Sequence, residues 1–391
     1  MSSIYWILLF ASQIGALNNR VGLTPPLGFN TWNHFACNIS EAIIRDAADL
    51  IIKLKLNEVG YNYINIDDCW MASKRSPAGE FVPHPTRFPR GIKILADYIH
   101  QRGLKLGIYS SAGTMTCQML PGSLDYEDID ARTWARWGID YVKYDNCYHD
   151  ERAARIRYTR MRDSLNATGR QIFYSICNWG EENLFKIGKG LGNSWRTTYD
   201  IENSFESMRL IFRLNSLLAN FSGTGGWNDP DMLEIGNGKF SHAESRTHFA
   251  LWAMAKSPLL LGCDLSKISA EDFAIISNKE LIDLNQDPKG IQAKCALNCN
   301  MGDFLGTTVR PQIFVGELKN GDFALSVTNW SDKVVFTKIK VNFEQLKLPQ
   351  KRYKVRDLWG KLNLGEINDE FVIEKIDIHD TAVFRLTNIK P

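Results

Sequence analysis

From about position 27 to position 278 the chain alternates between two kinds of pattern. Short runs rich in β-branched and aromatic residues fall at 27–33, 61–67, 104–110, 139–145, 171–178, 195–200, 225–228 and 258–262. Between them lie amphipathic stretches such as 41–59, 92–101, 150–165, 204–219 and 242–256. Their apolar positions recur at helical spacing. The composition of the short runs is what strands of a buried parallel sheet require. Eight strands alternating with helices predict an α/β fold, a (β/α)8 TIM barrel over residues 20–297.

After about position 300 the helical period is lost and alternating runs take over, at 312–317, 323–329, 334–341, 353–358 and 371–386. The sequence Lys319, Asn320, Gly321, Asp322 between the first two is a hairpin signal. This predicts a C-terminal antiparallel β-sandwich domain over 305–391. No low-complexity linker precedes it, so the two domains are expected to pack closely.

Composition sharpens this picture only in places. A chain of 391 residues suits a barrel of about 250 residues with a smaller partner. A net charge of +2 gives no electrostatic footprint for nucleic acid or for an anionic membrane surface. At the N-terminus, an apolar run at 4–11 is followed by the small residues Gly15 and Ala16. That pattern predicts a signal peptide over 1–16, a buried first strand being the alternative, and the run is far too short to span a bilayer. Sequons at Asn38, Asn166, Asn220 and Asn329 are candidate glycosylation sites, and eight cysteines suit an oxidising compartment. Cys295 and Cys299 are four apart with no second pair beside them. The reading therefore includes no metal and no cofactor.

In a TIM barrel the catalytic groups sit at the C-terminal ends of the strands. Those ends are polar here: Trp32 and Asn33, Asp67 and Asp68, Tyr109, Lys143 and Asp145, Cys177 and Trp179, Arg196 and Asp200, Asp229 and Asp231. Burying so many charges is costly unless they serve one another or a polar ligand. A sugar, with its ring of hydroxyls, is such a ligand. Two carboxylates at one mouth are the minimum for cleaving a glycosidic bond, and Asp145 and Asp200 each close a strand-like run. Lys143 stands two residues before Asp145, and Arg196 four before Asp200, so each pair shares one side of its strand. A cation beside Asp145 favours the charged form that a nucleophile needs. Arg196 argues against a proton on Asp200, and spacing alone is equally consistent with helix caps or salt bridges. The tandem Asp67 and Asp68 lack the oxygen-rich loop of a hard-cation site and suit hydroxyl recognition. His34 and His149 have no nucleophile partner pattern and read as structural.

Six motifs occur in order: LGFNTWN at 27–33, IDDCW at 66–70, KLGIY at 105–109, YVKYDNC at 141–147, NSWRTTYD at 193–200 and GGWNDPDM at 225–232. Together they resemble the glycoside hydrolase family 27 α-galactosidases, the melibiases, across the whole barrel, and the C-terminal domain is similar to that family's sandwich. The resemblance implies a retaining mechanism, with Asp145 as nucleophile and Asp200 as acid/base. It maps sugar contacts onto Trp32, Asp67, Asp68, Tyr109, Lys143, Arg196, Asp231 and Met232. Cys177 and Trp179 would crowd the sugar's 2-position and favour galactose over N-acetylgalactosamine. It also implies disulfides Cys37–Cys69 and Cys117–Cys147, leaves Cys177 free and Cys263 buried, and does not assign Cys295 and Cys299. Asn178, where several relatives have Glu, and Tyr199, where a smaller residue is common, depart from the family pattern at the pocket rim.

The expected partner is a carbohydrate with α-linked galactose, and the expected location is secreted, with lysosome or vacuole as alternatives. The oligomeric state is open, a homodimer included. Two further enzyme readings on this scaffold are an α-N-acetylgalactosaminidase and a β-L-arabinopyranosidase. A sugar-binding protein without catalysis would predict loss of a carboxylate, and both are present.

Overall fold

The structure is a computed structural model that describes residues 17, 19–305, 307 and 309–389. The expected signal peptide at 1–16 lies outside the described residues. Eight short parallel strands form the core: β1 Leu27–Asn30, β2 Tyr63–Asn65, β3 Lys105–Ser111, β4 Tyr141–Asp145, β5 Phe173–Cys177, β6 Ser194–Arg196, β7 Trp227–Asp229 and β8 Leu259–Leu261. Neighbours follow chain order, and β8 pairs with β1. The seam between β7 and β8 is closed by the segment after β7, where Leu233 bridges Leu261 in parallel. Leu233 N donates to Leu260 O at 2.8 Å, and Gly262 N donates to Leu233 O at 3.1 Å. The run at 195–200 is corrected: β6 stops at Arg196, and Asp200 stands four residues out on the following loop.

Aromatic packing decides which end of the barrel is open. Tyr63, Tyr141 and Phe173, at the starts of β2, β4 and β5, form one buried cluster. Tyr141 and Phe173 stack with ring centroids 4.9 Å apart, and Tyr63 meets Tyr141 edge-on at 5.5 Å. They pack the N-terminal end of the lumen with apolar rings, which leaves the polar strand ends at the C-terminal mouth. Glycine is required beside this lumen: a Cβ on Gly107 would lie 2.0 Å from Asn65 Oδ1.

Several helices begin on a side chain that satisfies an end N–H. Ser40 accepts from Ile43 N to start Glu41–Lys53, and Ser204 accepts from Ser207 N to start Phe205–Ser216. The helix Glu127–Trp137 has no counterpart among the amphipathic stretches, because its buried face carries Glu127 and Asp130 as well as Trp134. Asp130 is held there by Arg75, 2.6 Å away. Helix His242–Met254 opens on a capping box of Ser241 and Glu244 and is buried from Thr247 to Met254. It is wrapped on both sides, packing on the barrel and on the C-terminal domain.

That second domain contains β9 Lys294–Leu297, β10 Gln312–Glu317, β11 Phe323–Thr328, β12 Phe336–Asn342, β13 Arg352–Asp357, β14 Leu362–Asn368, β15 Glu370–Ile376 and β16 Thr381–Asn388. Six of them form an antiparallel sheet in the order β14-β13-β16-β11-β10-β9, and β12 pairs with β15. Val341, Phe343, Tyr353, Phe371 and Phe384 share the core between them. The residues of β9, read above as the end of the barrel at 297, instead pair with β10. The single run expected at 371–386 is two strands joined at Asp377 to Asp380, a turn without Gly or Pro to mark it. The edge strand β14 is largely exposed and therefore has no apolar alternation to read.

Disulfides join Cys37 to Cys69, Cys117 to Cys147 and Cys295 to Cys299, while Cys177 and Cys263 are free and buried. Of the four sequons, Asn38, Asn166 and Asn220 are exposed. Asn329 is corrected as a glycosylation candidate. It is fully buried, and its amide donates to the carbonyls of Val334 at 2.8 Å and Asp377 at 3.0 Å.

The domains are clamped by His379, on the turn between β15 and β16. Its Nδ1 lies 2.8 Å from Glu244 Oε1 on the barrel, and its Nε2 lies 2.7 Å from Asp332 Oδ1 on the sandwich. The ring stacks on Phe205 at 4.0 Å. Two ionised carboxylates on two ring nitrogens require both nitrogens to donate, which is the imidazolium form. Burial pulls the His379 pKa down, but Glu244 and Asp332 outweigh it and the net shift is upward. Arg209 reaches toward Asp332 at 3.8 Å, and Arg246 pairs with Asp380 at 2.9 Å nearby. A pKa raised above the unfolded value gives stability that is full below that value and is lost as pH rises through the folded one. His379→Gln should therefore lower the melting temperature by a few degrees at pH 5, and by less at pH 8, in calorimetry at both pH values. Replacing Cys117 and Cys147 by serine opens a closure spanning 30 residues. Denaturant unfolding should then show a loss of roughly 3–4 kcal/mol.

Candidate active site

Asp145 is the last residue of β4 and is 5% exposed. Its Oδ2 accepts from the Tyr109 hydroxyl at 2.9 Å and its Oδ1 from Asn146 N at 2.9 Å. Burial pushes its pKa up, while the Lys143 charge and the Asn146 bond oppose that, and the net position is above the ordinary carboxylate value. The neighbouring Asn146 is itself fixed. Its Oδ1 accepts from Arg157 at 2.9 Å and its Nδ2 donates to Glu181 at 2.9 Å.

Lys143 shares the Asp145 side of β4, but its direct ion pair is elsewhere. Its Nζ lies 2.8 Å from Asp67 Oδ2, which also accepts from Asn30 Nδ2 at 2.9 Å. Lys143 therefore acts on Asp145 through the field rather than by contact. Next to Asp67, Asp68 joins two disulfide-bonded loops. Its Oδ1 accepts from Cys69 N at 2.7 Å and its Oδ2 from Gln118 N at 3.0 Å. Cys69 is bonded to Cys37, and Cys117, beside Gln118, is bonded to Cys147. Burial pushes Asp68 up to about 6 against these hydrogen bonds. Both carboxylates are 1% exposed.

On the opposite wall, the Arg196 guanidinium ends β6 at 3% side-chain exposure. Its Nη2 lies 2.9 Å from Asp231 Oδ2 and 3.0 Å from Asp200 Oδ1. Its Nη1 lies 3.6 Å from Cys177 Sγ at the end of β5. Asp231 adopts φ +80°. It holds this conformation by accepting from Met232 N at 2.9 Å and Ile201 N at 2.8 Å, while Asp229 accepts from Asp231 N at 2.9 Å. The bond to Ile201 pins the loop that presents Asp200. The Asp200 side chain keeps 65% exposure at the rim. Desolvation by the walls raises its pKa, the Arg196 and Lys143 charges outweigh that, and the net shift is downward.

Trp32 opens the short helix Trp32–Phe35 after β1, its N–H donating to Asn30 Oδ1 at 2.8 Å. Trp179 follows β5 with φ +58° and is half-buried. Every residue singled out as a catalytic or sugar-contact candidate thus stands at the C-terminal end of a barrel strand or on the loop that follows it. Lys143, Cys177, Arg196, Asp231 and Met232 line one cavity, together with Asn30, Ser175 and Asp229. Asn30 and Gln118 were not visible in sequence. Asn30 could have been found from its place two residues before Trp32, but Gln118 acts through its backbone and leaves no side-chain signal. Cys117, Cys147 and Asp145 lie within 4.8 Å of one another, but the two sulfurs are bonded to each other and offer no thiolate.

A family model described as alpha galactosidase A matches residues 24–287, and one described as the alpha galactosidase C-terminal beta sandwich domain matches 309–386. Alpha-galactosidase 3 of Arabidopsis thaliana is 46% identical, covering 95% of this chain and 83% of its own. An alpha-galactosidase of Oryza sativa subsp. japonica is 43% identical over 95% of this chain and 87% of its own. Among solved structures, alpha-galactosidase I from Mortierella vinacea superposes with a TM-score of 0.88 at 38% identity, covering 95% of this chain and 98% of that one. The alpha-galactosidase of Saccharomyces cerevisiae solved with raffinose gives a TM-score of 0.85 at 29% identity, covering 94% and 98%. With both domains matched in order and the polar residues of the family motifs gathered at one mouth, the chain belongs to the melibiase-type α-galactosidase family of glycoside hydrolases.

Proposed function

We propose that the protein removes terminal, non-reducing α-D-galactosyl residues from galactosides by a retaining double displacement. The observation that carries this reading is the contrast between the two carboxylates. Asp145 is buried and held by Tyr109 and Asn146, whereas Asp200 stands at the rim on a loop pinned through Asp231. A nucleophile must be held fixed near the anomeric carbon, and an acid/base must meet both the leaving group and incoming water.

Asp145 attacks the anomeric carbon as the bond to the leaving oxygen breaks, and Asp200 gives that oxygen its proton. Water then attacks the glycosyl–Asp145 ester while Asp200 takes the water's proton back, and configuration is retained overall. One proton is shared between two interacting carboxylates, so the reactive form is the singly protonated pair. In the empty site that proton favours Asp145, given the opposite pKa directions of the two groups. Filling the pocket covers the exposed face of Asp200 and shifts the proton toward it, because desolvation penalises the charged form.

Asp67, Asp68 and Lys143 supply charged hydrogen-bonding groups for sugar hydroxyls, with Trp32 and Tyr109 as aromatic walls. Arg196 Nε is a buried donor without a partner among the described residues, which suits a hydroxyl ligand. Cys177 and Trp179 leave little room for an N-acetyl group. Melibiose-type oligosaccharides, galactomannan and glycoconjugates fit the reading, and the raffinose-bound yeast relative supports the first of these. The disulfides and the exposed sequons at Asn38, Asn166 and Asn220 support export or delivery to a lysosome or vacuole.

Asp145→Asn should lower kcat on melibiose by roughly 10³-fold or more while galactose still binds in calorimetry. Residual turnover near wild type would remove Asp145 as nucleophile. Asp200→Asn should damage poor leaving groups far more than activated nitrophenyl galactosides, and equal damage would rule out an acid role. Proton NMR of the first product should show the α-anomer, and β-galactose would point to inversion. The kcat/KM profile should be bell-shaped with an acidic maximum, falling at low pH as Asp145 stays protonated and at high pH as the pair loses its one proton. Wild-type preference for nitrophenyl α-N-acetylgalactosaminide over the galactoside would overturn the role given to Trp179.

A further inference from the structure

We propose that Tyr199, backed by Trp179, is the binding platform for the sugar ring of the leaving group, a neutral pyranose attached directly to galactose. The inference rests on reading Asp200 as the proton donor. A donor must reach the glycosidic oxygen, so the group on the far side of that oxygen lies over the residues flanking Asp200. Tyr199 is the residue immediately before it, and it is 68% exposed.

An exposed aromatic is common by itself, but this one is built into a stack. The rings of Tyr199 and Trp179 lie 6.2 Å apart and within 27° of parallel. One face of Tyr199 is thus turned to Trp179, while much of its remaining surface is open to solvent. The C–H face of a pyranose is flat and apolar, and an open aromatic face removes it from water, while the phenol can bond a hydroxyl at the edge.

The platform is held in place before any ligand arrives. Trp179 sits at φ +58° and Gly180 at φ +80°. A Cβ on Gly180 would lie 2.6 Å from Thr197 O, so the loop carrying Trp179 is pressed onto the segment that leads to Tyr199. Thr197 is in turn tied down, its N–H donating to Asp229 O at 3.0 Å and its hydroxyl to Asn215 at 3.1 Å. On the other side, Asn178 Nδ2 donates to Glu181 O at 2.8 Å, and Glu181 is bonded to Asn146 beside the nucleophile. A preorganised surface binds without the cost of ordering it. Tyr199 and Trp179 are uncharged, which selects a neutral ring over an ionic leaving group.

The test is kcat/KM for methyl α-galactoside, melibiose and raffinose with the wild type, Tyr199→Ala and Tyr199→Phe. Tyr199→Ala should lose about five- to ten-fold more on melibiose and raffinose than on methyl α-galactoside, chiefly through KM, as loss of one stacked ring implies. Tyr199→Phe should recover most of that difference. Equal losses on all three substrates would mean that Asp200 was disturbed, and no loss would mean no contact; either result overturns the platform while leaving the hydrolase reading intact. A wild type that cleaves none of the three overturns the α-galactosidase reading, and the platform with it.

Discussion

The site is organised around one buried guanidinium. Arg196 carries a charge into the barrel mouth, where an unpaired cation would be prohibitively costly. It is neutralised by Asp231 and Asp200, which come from different loops. That need for compensation fixes the geometry. Asp231 faces Arg196 and, in the same conformation, accepts from Ile201 N, so the loop bearing Asp200 is held in position. Against desolvation, the Arg196 and Lys143 charges draw Asp200 toward its carboxylate form.

The opposite wall uses covalent restraint where this one uses charge. Asp68 ties together the loops after β2 and β3, which disulfides bond to the loops after β1 and β4 respectively. Cys117 also receives a contact from the Tyr109 hydroxyl at 3.2 Å, and that hydroxyl bonds Asp145 as well. Asp145 thus sits in a wall stiffened by disulfides, and Asp200 on a loop held by hydrogen bonds and one ion pair. Local stability tends to follow this division, with rigid anchors on one side and the more adjustable element on the other.

Among the described residues, the second domain adds none to the cavity lining. Its bearing on the site is mechanical: it covers helix His242–Met254, whose Trp252 Nε1 donates to Asp231 O at 2.8 Å. The stretch at 242–256, expected to be amphipathic, is instead buried all round from Thr247 to Met254, and its neighbour across the domain boundary is the reason.

The sequence alone determined the alternation of strands and helices, the sheet-rich C-terminal domain and the gathering of polar residues at strand ends, because periodicity and strand-end position are local properties. Asp145 was legible in this way, as the last residue of a clear strand. Asp200 was legible as a residue but not as an element, since three polar or aromatic residues before it look like strand and are loop. The ion-pair partner of Lys143 is Asp67, 76 residues away, rather than its strand neighbour Asp145. Asn329 reads as a surface sequon, yet its amide is enclosed by carbonyls from 5 and 48 residues further on. Residue types and spacing limit what a site can do. Which carboxylate pairs with which cation, and which amide is buried, depends on distances across the closed barrel and the packed sandwich, and only the folded chain sets those.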